Sequence, residues 1–307
     1  MKKLVFLIAL FTSSLFSTAQ KTSEVIAHLN AVKEINDGFA ALWMEKGASV
    51  SISNISANTF QEIITANQAT IAKLENLEQV YWDEDLLKSI LESHKTVKEI
   101  IETDKKIILT YLDKTKFLEE DLLSASVFLM SLNEKILSGN KKIKIIQKFL
   151  AAKYNFELQE IEFNIKADQH MKKSQFYNQL TILQLSTAVQ VKRFLNTSTQ
   201  ENYATALKGV VDGLAKLDDI TVVKEGENIN QNMESYLNHF YGFLKKYGAD
   251  CISFHALDKN NIDSTSKEQV TQFNALVEKR NEASKCYNEA APLIEKHNSL
   301  GLEFIQK

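Results

Sequence analysis

The chain has 307 residues, 44% of them hydrophobic and 24% charged, the make-up of a folded globular protein and not of a disordered or fibrous one. One proline and nine glycines are too few turn-makers for a β-sandwich or an alternating α/β sheet, which leaves long helices. Lys and Arg number 36 against 39 Asp and Glu, a net charge of −3, so no overall positive field exists to gather nucleic acid or anionic membrane.

The N-terminus reads as a secretory signal. Met1-Lys2-Lys3 is a short basic start, the apolar run Leu4 to Phe11 follows, and Ser17-Thr18-Ala19 puts small residues where a signal peptidase reads them. Residues 1–19 are therefore expected to be removed, with cleavage after Ala19, and a bacterial signal of this style leads to the periplasm or beyond. The run is less than half of the ~18 residues that a membrane span needs, and no later stretch reaches that length without charges. No Cys follows closely enough for a lipid-modified N-terminus. Without Lys2 and Lys3 the chain carries 34 positive and 39 negative side chains, net −5.

Apolar residues then recur at the 3.6-residue helical period. Val25, Leu29, Val32, Phe39 and Trp43 make the first stripe, and Gly47 is placed to end that helix ahead of a Ser/Asn-rich connection, Ala48 to Asn58. Thr59 with Glu62 spells a capping box for a helix reaching about Val80. Trp82 and Asp83 open a third, with Leu87, Ile90, Leu91, Val97, Ile101, Ile108 and Tyr111 on its seam. Phe117 to Leu137 predicts a fourth, stopped by Ser138-Gly139-Asn140. No Pro or Gly occurs from Lys141 to Asn196, which leaves open one continuous helix; the polar stretch Asn164 to Gln175 is read as a hinge, after which Phe176, Leu180, Leu183, Val191 and Phe194 resume the stripe.

Ser198 with Glu201 caps a further helix through Leu217, Ile229 to Tyr247 is ended by Gly248, and Thr265 with Glu268 caps the last long one, which Pro292 must break near Ala290. Gly209-x-x-x-Gly213 marks close helix packing. The fold expected is all-α, an elongated bundle of seven to eight long helices in two halves, 20–165 and 166–307. The halves share a weak internal likeness: Phe60 to Glu75 aligns without gaps on Tyr203 to Asp218, with Ala-Lys-Leu in common. Four short β-prone pieces, Val50 to Ile55, Phe156 to Ile165, Ile220 to Val223 and Cys251 to Phe254, are too few and too short to build a core.

Candidate chemistry is sparse. Cys251 and Cys286 are the only cysteines, and in an oxidising compartment they are expected to bond. Cys251, His255 and Asp258 fall at i, i+4 and i+7, and with Cys286 they make the one four-ligand zinc set the sequence offers. The remaining histidines, His28, His94, His170, His239 and His297, are scattered, with no HExxH and no ExxH. Asp258 to Asp263 looks like a calcium loop but lacks its sixth-position Gly and twelfth-position Glu. Tyr236, Phe240, Phe243 and Tyr247 form an aromatic stripe, flanked by His239, that could cradle a ring or an acyl chain; core packing is the simpler use. Lys141, Lys142, Lys144, Lys148 and Lys153 border Ile143, Ile146, Phe149 and Leu150, a basic amphipathic pattern that fits either anionic lipid or a solvated face.

Nucleophile-elbow, P-loop and dinucleotide motifs are missing, so no cofactor is implied. Function is therefore expected to be non-enzymatic: a soluble binding or scaffolding module of the bacterial cell envelope with a protein or envelope partner. A pore-forming helical protein is the first alternative, although the most hydrophobic stretch, Leu122 to Leu132, is short for a membrane segment. A metal-binding protein or enzyme centred on Cys251 and His255 is the second.

Overall fold

The computed structural model describes residues 2–43, 45, 57–78, 80, 84–112, 119–158, 162–257 and 266–306. Among them are nine helices and no strand: α1 (Lys2–Leu42), α2 (Ala57–Glu75), α3 (Glu84–Leu112), α4 (Glu119–Tyr154), α5 (Glu162–Asn196), α6 (Gln200–Asp219), α7 (Glu227–Ala256), α8 (Lys267–Asn288) and α9 (Ala291–Gln306). The protein is an all-α helical bundle. No helix among the described residues is long and apolar enough to cross a membrane. Gly47, Trp82, Asp83, Thr265, the piece Val50 to Ile55 and the calcium-like loop from Asp258 lie outside the described residues.

The packing divides the chain into two units, Met1–Leu112 with Ser131–Met171, and Asp113–Met130 with Lys172–Lys307. The divisions fall inside α4, after Met130, and inside α5, after Met171. In the first unit α1, α2, α3 and α4 bury Val32, Leu74, Leu86, Leu87, Ile90, Ile143 and Leu150 as one cluster. In the second, α7 is central: it packs on α6, α8 and α9 and buries Met233, Tyr236, Leu237, Phe240, Phe243 and Leu244 almost completely. The aligned segments Phe60 to Glu75 and Tyr203 to Asp218 lie in α2 and α6, each of which packs on the helix that follows it.

Several helix boundaries differ from those the sequence predicts, each for a local reason. Residues 141–196 are not one helix: α4 ends at Tyr154 because Asn155 takes the left-handed conformation, φ 54°, and Phe156 N–H turns back to the Ala151 carbonyl at 3.1 Å. This is the helix-ending geometry that Asn, after Gly, adopts most readily. The polar stretch Asn164 to Gln175 is not a gap but lies within α5. Ser138-Gly139-Asn140 does not stop α4, and Gly248 does not stop α7. Both glycines are close-approach positions, where a Cβ would collide with the Ser93 side chain on α3 and the Tyr203 ring on α6, respectively. Gly209 and Gly213 likewise bring α6 against Gln190 of α5 and Leu237 of α7.

Caps shift by a residue or two. Thr199, not Ser198, caps α6, its hydroxyl accepting from Asn202 N–H at 3.2 Å, while Ser198 Oγ donates to the Phe194 carbonyl behind it. Ser266 caps α8, and α2 begins at Ala57, leaving Thr59 inside the helix. Pro292 acts as expected: α8 closes at Asn288 and the proline sits in the first turn of α9, where its missing N–H costs nothing.

Candidate functional site

The aromatic stripe of α7 is core. Tyr236, Phe240 and Phe243 are each 1% exposed, and the rings fill one another: Tyr236 meets Phe240 edge-on at 5.0 Å, Phe243 meets Tyr247 at 6.0 Å, and Tyr287 of α8 covers both phenylalanines. Tyr236 donates its hydroxyl to the Gln184 carbonyl at 3.2 Å, and burial pushes its pKa up. His239, at the edge of the stripe, bonds the Cys286 carbonyl through Nε2 at 2.9 Å, which ties α7 to the end of α8.

Cys251 and Cys286 are both free thiols, which corrects the expected disulfide. The register of the two helices explains it. Asp250 pairs with Lys279 at 2.8 Å, and Lys279 stands seven residues before Cys286, about 10 Å along α8 at the helical rise. A disulfide needs Cα atoms within about 7 Å. Since α7 stays helical to Ala256, the segment after Cys251 does not run back toward Cys286 as the pairing required. Burial raises the Cys251 pKa, against a lowering by Arg280. His255 lies on the exposed side of α7, Asp258 is outside the described residues, and no three His, Cys, Asp or Glu side chains converge among the described residues.

Two histidines are deeply buried. His94 of α3 is 4% exposed and links three helices: Nδ1 lies 2.7 Å from Asn67 Oδ1 on α2, and Nε2 lies 3.0 Å from the Asn36 side-chain amide on α1. Asn67 donates its amide nitrogen to the His94 carbonyl at 3.0 Å, which fixes its oxygen toward the ring and places the ring proton on Nδ1. The atom facing Nε2 is Asn36 Oδ1, so with the proton on Nδ1 this contact becomes a hydrogen bond only when the Asn36 amide is turned over to present its NH₂. His297 of α9 stacks on Tyr177 at 5.0 Å and meets the Thr181 hydroxyl at 3.2 Å. Burial lowers both pKa values to about 4, so both rings are neutral near pH 7. His94 spends both nitrogens on Asn36 and Asn67, while His297 spends Nε2 on Thr181 and keeps Nδ1 buried with no hydrogen-bond partner among the described residues; both rings connect helices.

A groove of about 620 Å³ lies in the second unit, within the range of small-molecule sites. It has a simple local origin. Gln175, Phe176, Gln179, Ile182 and Leu183 recur on one face of α5 at helical spacing. Opposite them, α6 ends at Asp219 and the chain leaves in extended conformation, Ile220 at φ −75°, ψ 119°, so that Ile220, Thr221 and Val223 run along the groove. Met130 of α4 completes it. Phe176, packed edge-on against Phe304 at 5.7 Å, anchors an apolar floor; Lys172, Lys216 and Asp219 stand on the rim. Both lysines are exposed and make no ion pair among the described residues.

Such a groove can take an apolar body and hold an anionic end at the rim lysines. The sequence conceals it, because Lys172 lies in the polar stretch read as a hinge and Lys216 inside an amphipathic repeat, 44 positions apart. Compared with protein-family models, curated proteins and solved structures, the chain matches none.

Proposed function

We propose that the chain is an exported, non-enzymatic binding protein of the bacterial cell envelope, which takes an amphipathic small molecule with an anionic group into the groove between α5 and the end of α6. The observation that carries this reading is the groove itself: an apolar floor of Phe176, Ile182, Leu183, Ile220 and Val223, with Lys172 and Lys216 at its edge, neither in an ion pair among the described residues. Binding and not catalysis is favoured because the buried histidines are engaged with helix neighbours and are weak bases, about pKa 4. The basic start, the apolar run Leu4 to Phe11 and the small residues before Gln20 support export.

The test is a titration with an aromatic sulfonate dye and with a medium-chain fatty acid. Ile182→Trp, which fills the groove from a half-buried position, is expected to weaken both by about tenfold or more with the thermal midpoint kept. Lys172→Gln with Lys216→Gln is expected to weaken the fatty acid but not its uncharged alcohol. Unchanged affinity in Ile182→Trp sinks the assignment of the groove. Export is read separately, by mass spectrometry of the N-terminus, which is expected at Gln20.

A further inference from the structure

The C-terminal part of α4, which belongs wholly to the first unit, has two opposite faces. Ile136, Ile143 and Leu150 are buried on one. On the other, Ile145 is 69% and Phe149 64% exposed, the most exposed large hydrophobic side chains described. They stand at i and i+4, one above the other, and at 3.6 residues per turn Lys141, Lys142 and Lys148 lie within about 60° of Ile145 around the helix. Lys153 follows at the edge, its Nζ 6.0 Å over the Phe149 ring and 5.3 Å over Tyr154. From Lys135 to Phe156 the chain has six lysines and no acidic residue, in a protein whose net charge is negative.

We propose that this face of α4 docks the protein on an anionic lipid surface. Ile145 and Phe149 enter the boundary between headgroups and acyl chains, and Lys141, Lys142, Lys148 and Lys153 pair with headgroup anions. A helix lying in the plane of the interface needs this pattern, apolar side chains along the centre with lysines beside them whose long stems let the charge reach back to the headgroups. The lysines are available: Lys142 holds only an exposed partner, Glu92, at 3.1 Å, and exposed pairs of this kind exchange readily. A second copy of the chain is a poorer partner, since a two-fold contact through this face sets lysines against lysines. Nucleic acid offers phosphates but nothing apolar along its backbone for Ile145 and Phe149.

The test is flotation of the protein, as its host processes it, with vesicles containing about one third phosphatidylglycerol and with vesicles of pure phosphatidylcholine. Binding is expected to the anionic vesicles alone and to weaken as salt is raised. Ile145→Asn with Phe149→Asn, and separately Lys141→Glu with Lys148→Glu, are each expected to reduce it by about tenfold or more. The thermal midpoint is expected to stay, because all four side chains are exposed. Absence of binding, equal binding to neutral vesicles, retained binding in either variant, or a dimer formed in place of vesicle binding and dissolved by the Asn variant overturns the proposal.

Discussion

His94 and His297 are residues whose charge state the fold shifts within the mildly acidic pH range. In the folded protein both titrate near pH 4, against 6.5 for the unperturbed ring. As the pH falls from 6.5 the unfolded chain therefore takes up the protons first, and folding loses stability until about pH 4, where the native rings also charge. Each ring accounts for about 3 kcal/mol across that window. The urea midpoint is expected to fall steeply between pH 6.5 and 4, and His94→Gln, which keeps a polar group among Asn36 and Asn67 but cannot titrate, is expected to flatten the part belonging to the first unit. A midpoint in His94→Gln with the same pH slope as the parent removes His94 from this account.

Elements show where sequence patterning suffices and where it fails. The apolar stripes were legible: Val25, Val32 and Phe39 of α1 with Trp43 just after it, Ile90, Val97 and Ile101 of α3, and Phe176, Leu180, Val191 and Phe194 of α5 are all buried, because 3.6-residue periodicity is itself the cause of a helix face. Single-residue punctuation was not legible. Gly139 and Gly248 have the form of helix stops, yet each sits where two helices approach, and the neighbour that decides between the two uses is distant in sequence. Asn155 stops α4 while looking like any polar residue. The groove is hidden for a related reason: its walls come from α4, α5 and the segment after α6, which no short spacing joins. These points give a sign test. In an exposed helix Gly→Ala stabilises by about 1 kcal/mol, whereas here Gly139→Ala and Gly248→Ala are expected to destabilise by about 1–3 kcal/mol through overpacking. Thermal or urea melts of both variants read the sign directly.

At the scale of the whole molecule, α1 is continuous from Lys2 to Leu42, and it contributes Val25, Val32 and Phe39 to the buried core. A chain beginning at Gln20 keeps Val25, Val32 and Phe39, so its thermal midpoint is expected within a few degrees of that of the full chain. A large drop would show that residues 1–19 are structural. The groove and the lysine-flanked face of α4 belong to different units, so ligand capture and attachment to lipid draw on different residues and can be removed separately.

The central place of α7 bears on how quickly the protein assembles. Most of the closely packed helix pairs are consecutive in the chain, α1 with α2, α2 with α3, α6 with α7 and α7 with α8, and α9 reaches α7 across a single intervening helix. Loops that must close before burial is gained are therefore short, and a chain dominated by such local pairings folds faster than one built from distant strands. Rapid helix-by-helix assembly around Tyr236, Phe240 and Phe243 shortens the time during which those rings stand in water.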